Sequence, residues 1–246
     1  MTERDRQRAI QLKLARLDAR HVSRILTGFA SLDQALEGGL PRGLITELAG
    51  GPSCGKTTFA LSMVAHTQES GLSAAWIDAE HVFDPAYAVR LGVSLERLPV
   101  ARADSAEECL EIARRLAESG AIDLLALDSA AALTPAIELE IGIGESGPGL
   151  QGRILASGFR RLAVAAARTE TAILVLNQIR SGAGAESAGT SAGGPAVKLH
   201  AALRIALEPL DMGLGAHFRI LKSRLAAPVR EGGLRFERLG DSSATL

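Results

Sequence analysis

At about 150 residues per domain, the 246-residue chain holds one large domain or one domain plus an appendage, and it is long enough to bury about 70% of its unfolded surface. Apolar residues at 47% and charged residues at 22% exclude wholesale disorder, collagen and coiled coil. The 27 basic against 28 acidic residues exclude a globally basic nucleic-acid coat, so any polyanion must be gripped by local clusters. Neither a membrane span nor an apolar leader behind Met1-Thr2-Glu3-Arg4-Asp5-Arg6 is legible, and a cytosolic (cytoplasmic) protein is expected. Among the basic residues, lysine is confined to Lys13, Lys56, Lys198 and Lys222.

Residues 1–24 are basic, with Ile10, Leu14 and Leu17 on one stripe, and read as an N-terminal helical arm that either reaches outward or caps its own core. A core is expected over 25–240 and a short tail over 241–246. Turn signals at Thr27–Asp33 and Gly38–Gly43 lead into a strand over Leu44–Ala49. From there strands and helices alternate. A helix is predicted from Lys56 to about Glu69 and a strand over Ala74–Asp78. Ser105 with Glu108 forms a capping box for a helix to about Ser119. The apolar run Leu124–Leu127 reads as a strand buried on both faces. A helix follows from about Leu150 to Arg168, then a strand over Ala172–Asn177 and shorter strands near 201–207, 217–223 and 234–238. The fold class is therefore α/β, a mostly parallel central sheet flanked by helices with an antiparallel C-terminal β section.

Gly50-Gly51-Pro52-Ser53-Cys54-Gly55-Lys56-Thr57 satisfies G-x-x-x-x-G-K-[ST] and sits after a strand and at the start of a helix, as its mechanism requires. With this chain's glycine and lysine frequencies, the four fixed positions would coincide by chance in roughly one such sequence in two hundred. Glycine lets backbone N–H groups curl around phosphate oxygens, and the helix N-terminus adds partial positive charge. Lys56 would reach the β and γ oxygens and Thr57 would hold Mg²⁺. Three further groups lie at the carboxyl ends of later strands: Glu80, Asp128 and Gln178. In an open parallel sheet these ends line one crevice, so all should meet the same ligand. Asp128 reads as the acid that supports the metal and Glu80 as the general base; helix capping and a solvated surface are their plainer alternatives.

Together these motifs resemble the core of the RecA recombinase family of P-loop NTPases. The resemblance rests on Gly50 to Thr58, Ile77-Asp78-Ala79-Glu80-His81 with Asp84-Pro85, Ile122–Pro135 containing Asp128 to Pro135, Asn177-Gln178-Ile179-Arg180, Gly193-Gly194 and Ala226-Ala227-Pro228. It implies an ATP- and Mg²⁺-dependent, DNA-dependent ATPase of recombination and repair that binds single-stranded DNA and self-associates. By resemblance, Glu80 activates water, Gln178 senses the γ-phosphate, Tyr87 stacks on adenine and Asp84 lies near its amino group. Lys222 and Arg224 would act across a subunit interface on the neighbour's ATP. Ile141–Gly149 and Ser181–Pro195 would be DNA loops, with Arg153, Arg160 and Lys198 contributing to the DNA grip.

The sequence departs from the family in its loops. Ser181–Pro195 holds small residues and one glutamate, Pro148 stands where the family has an apolar wedge, and Leu199 and His200 stand where it has aromatics. The sequence ends at Leu246, and the family's small C-terminal domain is expected to be absent. Two other readings follow: a recombination-deficient paralogue serving translesion synthesis beside a polymerase partner, similar to the ImuA group, and a nucleotide-binding scaffold without catalysis. Cys54 reads as a small residue suited to the phosphate turn, Cys109 as core, and the five histidines have no zinc-ligand spacing.

Overall fold

The computed structural model describes residues 22–141, 149–180, 190–191, 194–210, 215–225 and 230–236. The chain opens with a small hairpin-like pair, β1 (Arg24–Ile25) and β2 (Leu40–Pro41), which bracket the short helix α1 (Ala30–Ala35). β3 (Ile45–Gly50) then runs through the glycine turn into α2 (Lys56–Glu69). β4 (Ala74–Asp78) is followed by α3 (Pro85–Arg90) and the edge strand β5 (Val100–Arg102). Next come α4 (Ala106–Glu118), β6 (Leu124–Asp128), α5 (Ala136–Glu140), α6 (Leu150–Thr169) and β7 (Ala172–Arg180). The short β8 (Thr190–Ser191), α7 (Gly194–His200), β9 (Leu203–Pro209), β10 (Gly215–Ser223) and β11 (Glu231–Arg235) complete the described chain.

The main sheet has the order β11-β10-β9-β3-β7-β6-β4-β5. From β9 to β5 every neighbouring pair is parallel, whereas β10 is antiparallel to both β9 and β11. The antiparallel C-terminal section expected from the sequence is thus β10 and β11, with β9 parallel to β3. β9 follows a helix, and a strand reached by a crossover helix can join the sheet in parallel.

Strand side chains alternate between two covered faces. Leu48, Trp76, Leu124, Ala126 and Leu174 pack with Phe59 and Met63 of α2, while Ile45, Ile77, Leu125, Leu127 and Val175 pack with Leu110 of α4 and Phe159 and Leu162 of α6. Burial on both faces explains why the central strands read as unbroken apolar runs. The helices follow their local signals. The Ser105 hydroxyl accepts the Glu108 amide at 3.2 Å, and the Glu108 carboxylate returns to the Asp104 amide at 3.0 Å, one residue before the expected reciprocal partner. α4 and α6 pack so closely that a Cβ on Gly158 would lie 2.4 Å from Leu110. Residues 1–21 of the arm expected over 1–24, and residues 237–246 with the tail expected over 241–246, lie outside the described residues.

Candidate active site at the strand ends

The registers Gly50↔Gln178 and Asp78↔Asp128 bring the carboxyl ends of β3, β7, β4 and β6 side by side. After Gly50 the chain turns through Gly51, Pro52, Ser53 and Cys54, and both Ser53 (φ 55°) and Gly55 (φ 90°) adopt left-handed backbone. Gly55 is doubly required, because a Cβ there would also stand 2.5 Å from the Phe236 ring. Phe236 meets Phe29 edge-on at 6.0 Å, and Phe29 stacks on Phe59 at 5.0 Å. This aromatic brace behind the phosphate turn escaped the sequence reading. Its one sequence signal is that it takes three of the chain's six phenylalanines.

At the turn, the Lys56 ammonium donates to the carbonyls of Gly51 at 2.6 Å and Gly50 at 3.3 Å. Buried Cys54 presents its sulfur to the same ammonium at 3.7 Å. The exposed Thr57 hydroxyl donates to Asp128 Oδ2 at 3.0 Å, joining two groups expected to share a metal. Burial pushes the Asp128 carboxyl up to about 6; the Thr57 hydroxyl and Lys56 oppose the rise, and the charges of Glu80 and Asp78 reinforce it.

Glu80 is half-buried on the turn after β4. Its carboxylate accepts a hydrogen bond from the Ser129 hydroxyl and a long one, 3.5 Å, from Gln178 Nε2. The amides of Ala79 and Glu80 both donate to the Asp128 carbonyl, at 2.8 and 3.3 Å, so the β4–β6 ladder continues beyond the strands. Asp78, absent from the sequence-predicted set, is buried here and accepts the amides of Val82 and Phe83. Asp84 caps α3 by accepting the amides of Ala86 and Tyr87 at 2.8 and 3.1 Å. The Tyr87 hydroxyl bonds Thr58 at 2.7 Å, and Arg90 lies over its ring at 5.4 Å. Lys56, Thr57, Asp128, Glu80 and Gln178 therefore form one site, with Thr58 and Tyr87 on its flank.

Lys222 and Arg224 lie elsewhere, at the end of β10, two strands beyond β3. Lys222 donates to the carbonyls of Lys198 and Leu199 at 2.8 and 3.4 Å, and Arg224 donates to that of Leu199 at 3.2 Å. Both thereby cap the C-terminal end of α7, where a cation is favoured. Burial lowers the Lys222 pKa, and so do Arg224 and Arg204. The His200 pKa is lowered by burial and by Arg160, Arg224 and Lys222, which places Arg160 in the same basic cluster. Arg153 and Arg160 are exposed on one face of α6, and Lys198 is half-buried. Inward from this cluster, Arg204 pairs with buried Glu47, which also accepts from Asn177 at 2.8 Å. Most of both expected DNA loops lies outside the described residues, as do Gly193 and Ala226-Ala227-Pro228. No described helix is long and apolar enough to cross a membrane.

A parallel sheet whose β3 enters a glycine turn and helix, with carboxylates delivered to the same ends by neighbouring strands, defines a RecA-type P-loop NTPase fold. The chain matches the RecA N-terminal domain over residues 2–236. It is 38% identical to Protein RecA of Caulobacter vibrioides, covering 93% of this chain and 72% of the relative. It is 40% identical to Protein RecA of Thermus thermophilus (91% and 69% covered) and 41% identical to that of Deinococcus radiodurans (92% and 67% covered). The chain belongs to the RecA family. These relatives lend no support to the translesion-accessory reading or to a polymerase partner.

Proposed function

We propose that the protein is an ATP-dependent, single-stranded-DNA-binding protein of recombination and repair, a DNA-dependent ATPase that hydrolyses ATP between self-associated subunits. The observation that carries this reading is the convergence of Lys56, Thr57, Asp128, Glu80 and Gln178 at four adjacent strand ends. The donor set fits a magnesium nucleotide. A phosphate turn with left-handed Ser53 and Gly55 opens onto α2, and the Thr57 hydroxyl stands 3.0 Å from a carboxylate that is anionic above about pH 6. Thr57 and Asp128 would hold Mg²⁺, Gly50 to Thr58 the phosphates, and Asp84 with Tyr87 the base. Bound Mg²⁺ neutralises charge that develops on the transferring phosphoryl group.

The chain's own groups divide the remaining work. Lys56 has two loop carbonyls as present partners, so its ammonium is held at the mouth of the turn, where phosphate oxygens would replace neutral acceptors by charged ones. Glu80 accepts the proton of the attacking water, with Ser129 and Gln178 fixing the carboxylate's orientation. Gln178 touches Glu80 from β7, the strand that continues toward the second expected DNA loop, and so links nucleotide state to DNA. Lys222 and Arg224, held on the end of α7, supply positive charge to the neighbour's transition state, so assembly gates hydrolysis. Arg153, Arg160 and Lys198 hold DNA phosphates.

The test is Mg²⁺-dependent ATP hydrolysis by the full chain with and without single-stranded DNA at low salt, where phosphate contacts are strongest. Stimulation by DNA, abolished in Lys56→Ala and in Glu80→Gln, is the expected result. Hydrolysis indifferent to DNA would refute the DNA-dependent reading. Single-turnover hydrolysis no faster than in Glu80→Gln would leave only a nucleotide-binding scaffold.

A further inference from the structure

We infer that Asp78 is the positioning residue for the general base: its carboxylate fixes the turn 79–83 and thereby aims Glu80. The inference rests on the reading of Glu80 given above and extends it to a residue whose bonds go to the backbone of the turn.

Polar contacts hold the turn between β4 and α3, among them His81 Nε2 at 3.2 Å from the Asp104 carboxylate. His81 and Val82 are exposed, Val82 by 64%, so apolar packing does not fix the segment's middle. His81 adopts φ 58°, left-handed backbone that is unfavourable for a non-glycine residue. Such a conformation persists only where surrounding bonds determine it. Upstream, Ala79 and Glu80 are tied to the Asp128 carbonyl. Downstream, Asp78 accepts the Val82 amide on Oδ1 and the Phe83 amide on Oδ2, both at 3.1 Å. One side chain thus closes the loop that carries Glu80, gripping the two residues that follow the left-handed position.

Asp78 is suited to this because it is rigidly placed. It ends β4, is 1% exposed, and is in register with Asp128 on one side and Arg102 on the other. Its charge is shared with the guanidinium of Arg102 at 3.8 Å. A buried carboxylate that receives two amides and a cation has its acceptor capacity directed at the turn, in place of solvent. The Phe83 ring then settles against Trp76 at 5.8 Å, the chain's only tryptophan and a built-in reporter of the turn. A base displaced by an ångström loses much of its rate advantage, while the grip on the phosphates, set by the turn after β3, is untouched.

The experiment compares Asp78→Asn and Asp78→Ala in the full chain with wild type, Glu80→Gln and a control, Asp123→Asn. Asp123 is a similarly bonded aspartate at the opposite end of the sheet, where it accepts the Ser73 amide at 2.9 Å. Readouts are DNA-stimulated ATP hydrolysis, affinity for a fluorescent ATP analogue with Mg²⁺, Trp76 emission, and hydrogen exchange at the Val82 and Phe83 amides. Expected is a kcat fall of about tenfold in Asp78→Asn and about a hundredfold in Asp78→Ala. Analogue affinity should stay within about twofold, since binding and chemistry are separable. Exchange at residues 82 and 83 should accelerate and Trp76 emission shift, whereas Asp123→Asn lowers Tm and keeps its kcat. Should Asp78→Ala fail to fold, Asp78→Asn decides, because it keeps one acceptor oxygen and loses the other. Wild-type kcat in Asp78→Asn, or unchanged protection at residues 82 and 83, overturns the inference alone so long as Glu80→Gln is inactive. Wild-type chain without hydrolysis above Glu80→Gln overturns the reading of Glu80 and this inference together.

Discussion

The crevice at the strand ends and the basic cluster at the end of β10, to which the proposed function gives parts of one reaction, are built differently. In the crevice, groups from the ends of β4, β6 and β7 and the start of α2 bond one another: Thr57 to Asp128, Gln178 and Ser129 to Glu80, and Asp78 to the turn after Glu80. In the basic cluster, Lys222 and Arg224 rest on carbonyls at the end of α7, with Arg160 and His200 nearby. A group that acts within its own subunit gains from being locked by neighbours that are also part of the site. A cation that acts on another molecule needs only a neutral perch, from which a stronger, charged acceptor can take it. The difference accords with the proposal that hydrolysis belongs to one region and its control by assembly to the other.

The comparison breaks first at Glu80. Glu80→Gln should slow hydrolysis about 10²–10⁴-fold while ATP binding persists, and a residual rate near wild type would remove the crevice from the chemistry. Next, Lys222→Ala should cost hydrolysis about a thousandfold, by analogy with a charge supplied in trans. Mixing it with Glu80→Gln, each inactive alone, should restore activity, because mixed contacts pair an intact base with an intact cation. Mixtures that stay inactive would place Lys222 in the service of its own subunit. Beneath the cluster, Arg204→Met removes the cation beside buried Glu47 and should lower unfolding free energy by about 3–5 kcal/mol, measured by denaturant titration. A loss below about 1 kcal/mol would show that the pair is not the anchor of β9 on β3.

A subtler difference concerns pH. The Asp128 pKa is raised in the fold to about 6 from an ordinary 3.8, so the native state holds the proton more tightly than the unfolded chain. Its contribution to stability is full below pH 4 and is lost as pH rises through about 6. Asp128→Asn should therefore raise Tm above pH 6, by about 2–4 °C for each kcal/mol recovered, leave it unchanged near pH 4, and abolish Mg²⁺-dependent hydrolysis. A lower Tm at pH 8 would contradict the strain that burial imposes on this carboxylate. The smallest effect is at α6: Arg153→Ala and Arg160→Ala should each reduce the salt slope of DNA binding by about one. Unchanged slopes would take this helix out of the DNA contact.

Much of the crevice was legible because its signals are local. Lys56 and Thr57 belong to one eight-residue motif, and Asp128 and Gln178 sit where apolar runs stop, so strand-end geometry places them together. Asp84 and Tyr87 were less legible. The structure gives the Asp84 carboxylate a helix cap and the Tyr87 hydroxyl a bond to Thr58, neither of which spacing alone distinguishes from contact with a base. Asp78 was missed because a strand-ending aspartate looks the same in sequence whether it caps, binds metal or holds a turn.

The sequence by itself determined the alternation of strands and helices, the phosphate turn and the order of acidic and amide groups along the chain, since apolar period and turn residues act over a few positions. Tertiary structure decided the rest. Arg204 meets Glu47 across 157 positions, Ser31 donates to the Gly233 carbonyl across 202, and Phe236 closes on Gly55 from just after the last described strand. Such partners are chosen by which strands become neighbours in the sheet, a result of packing the whole chain at once that no local pattern records.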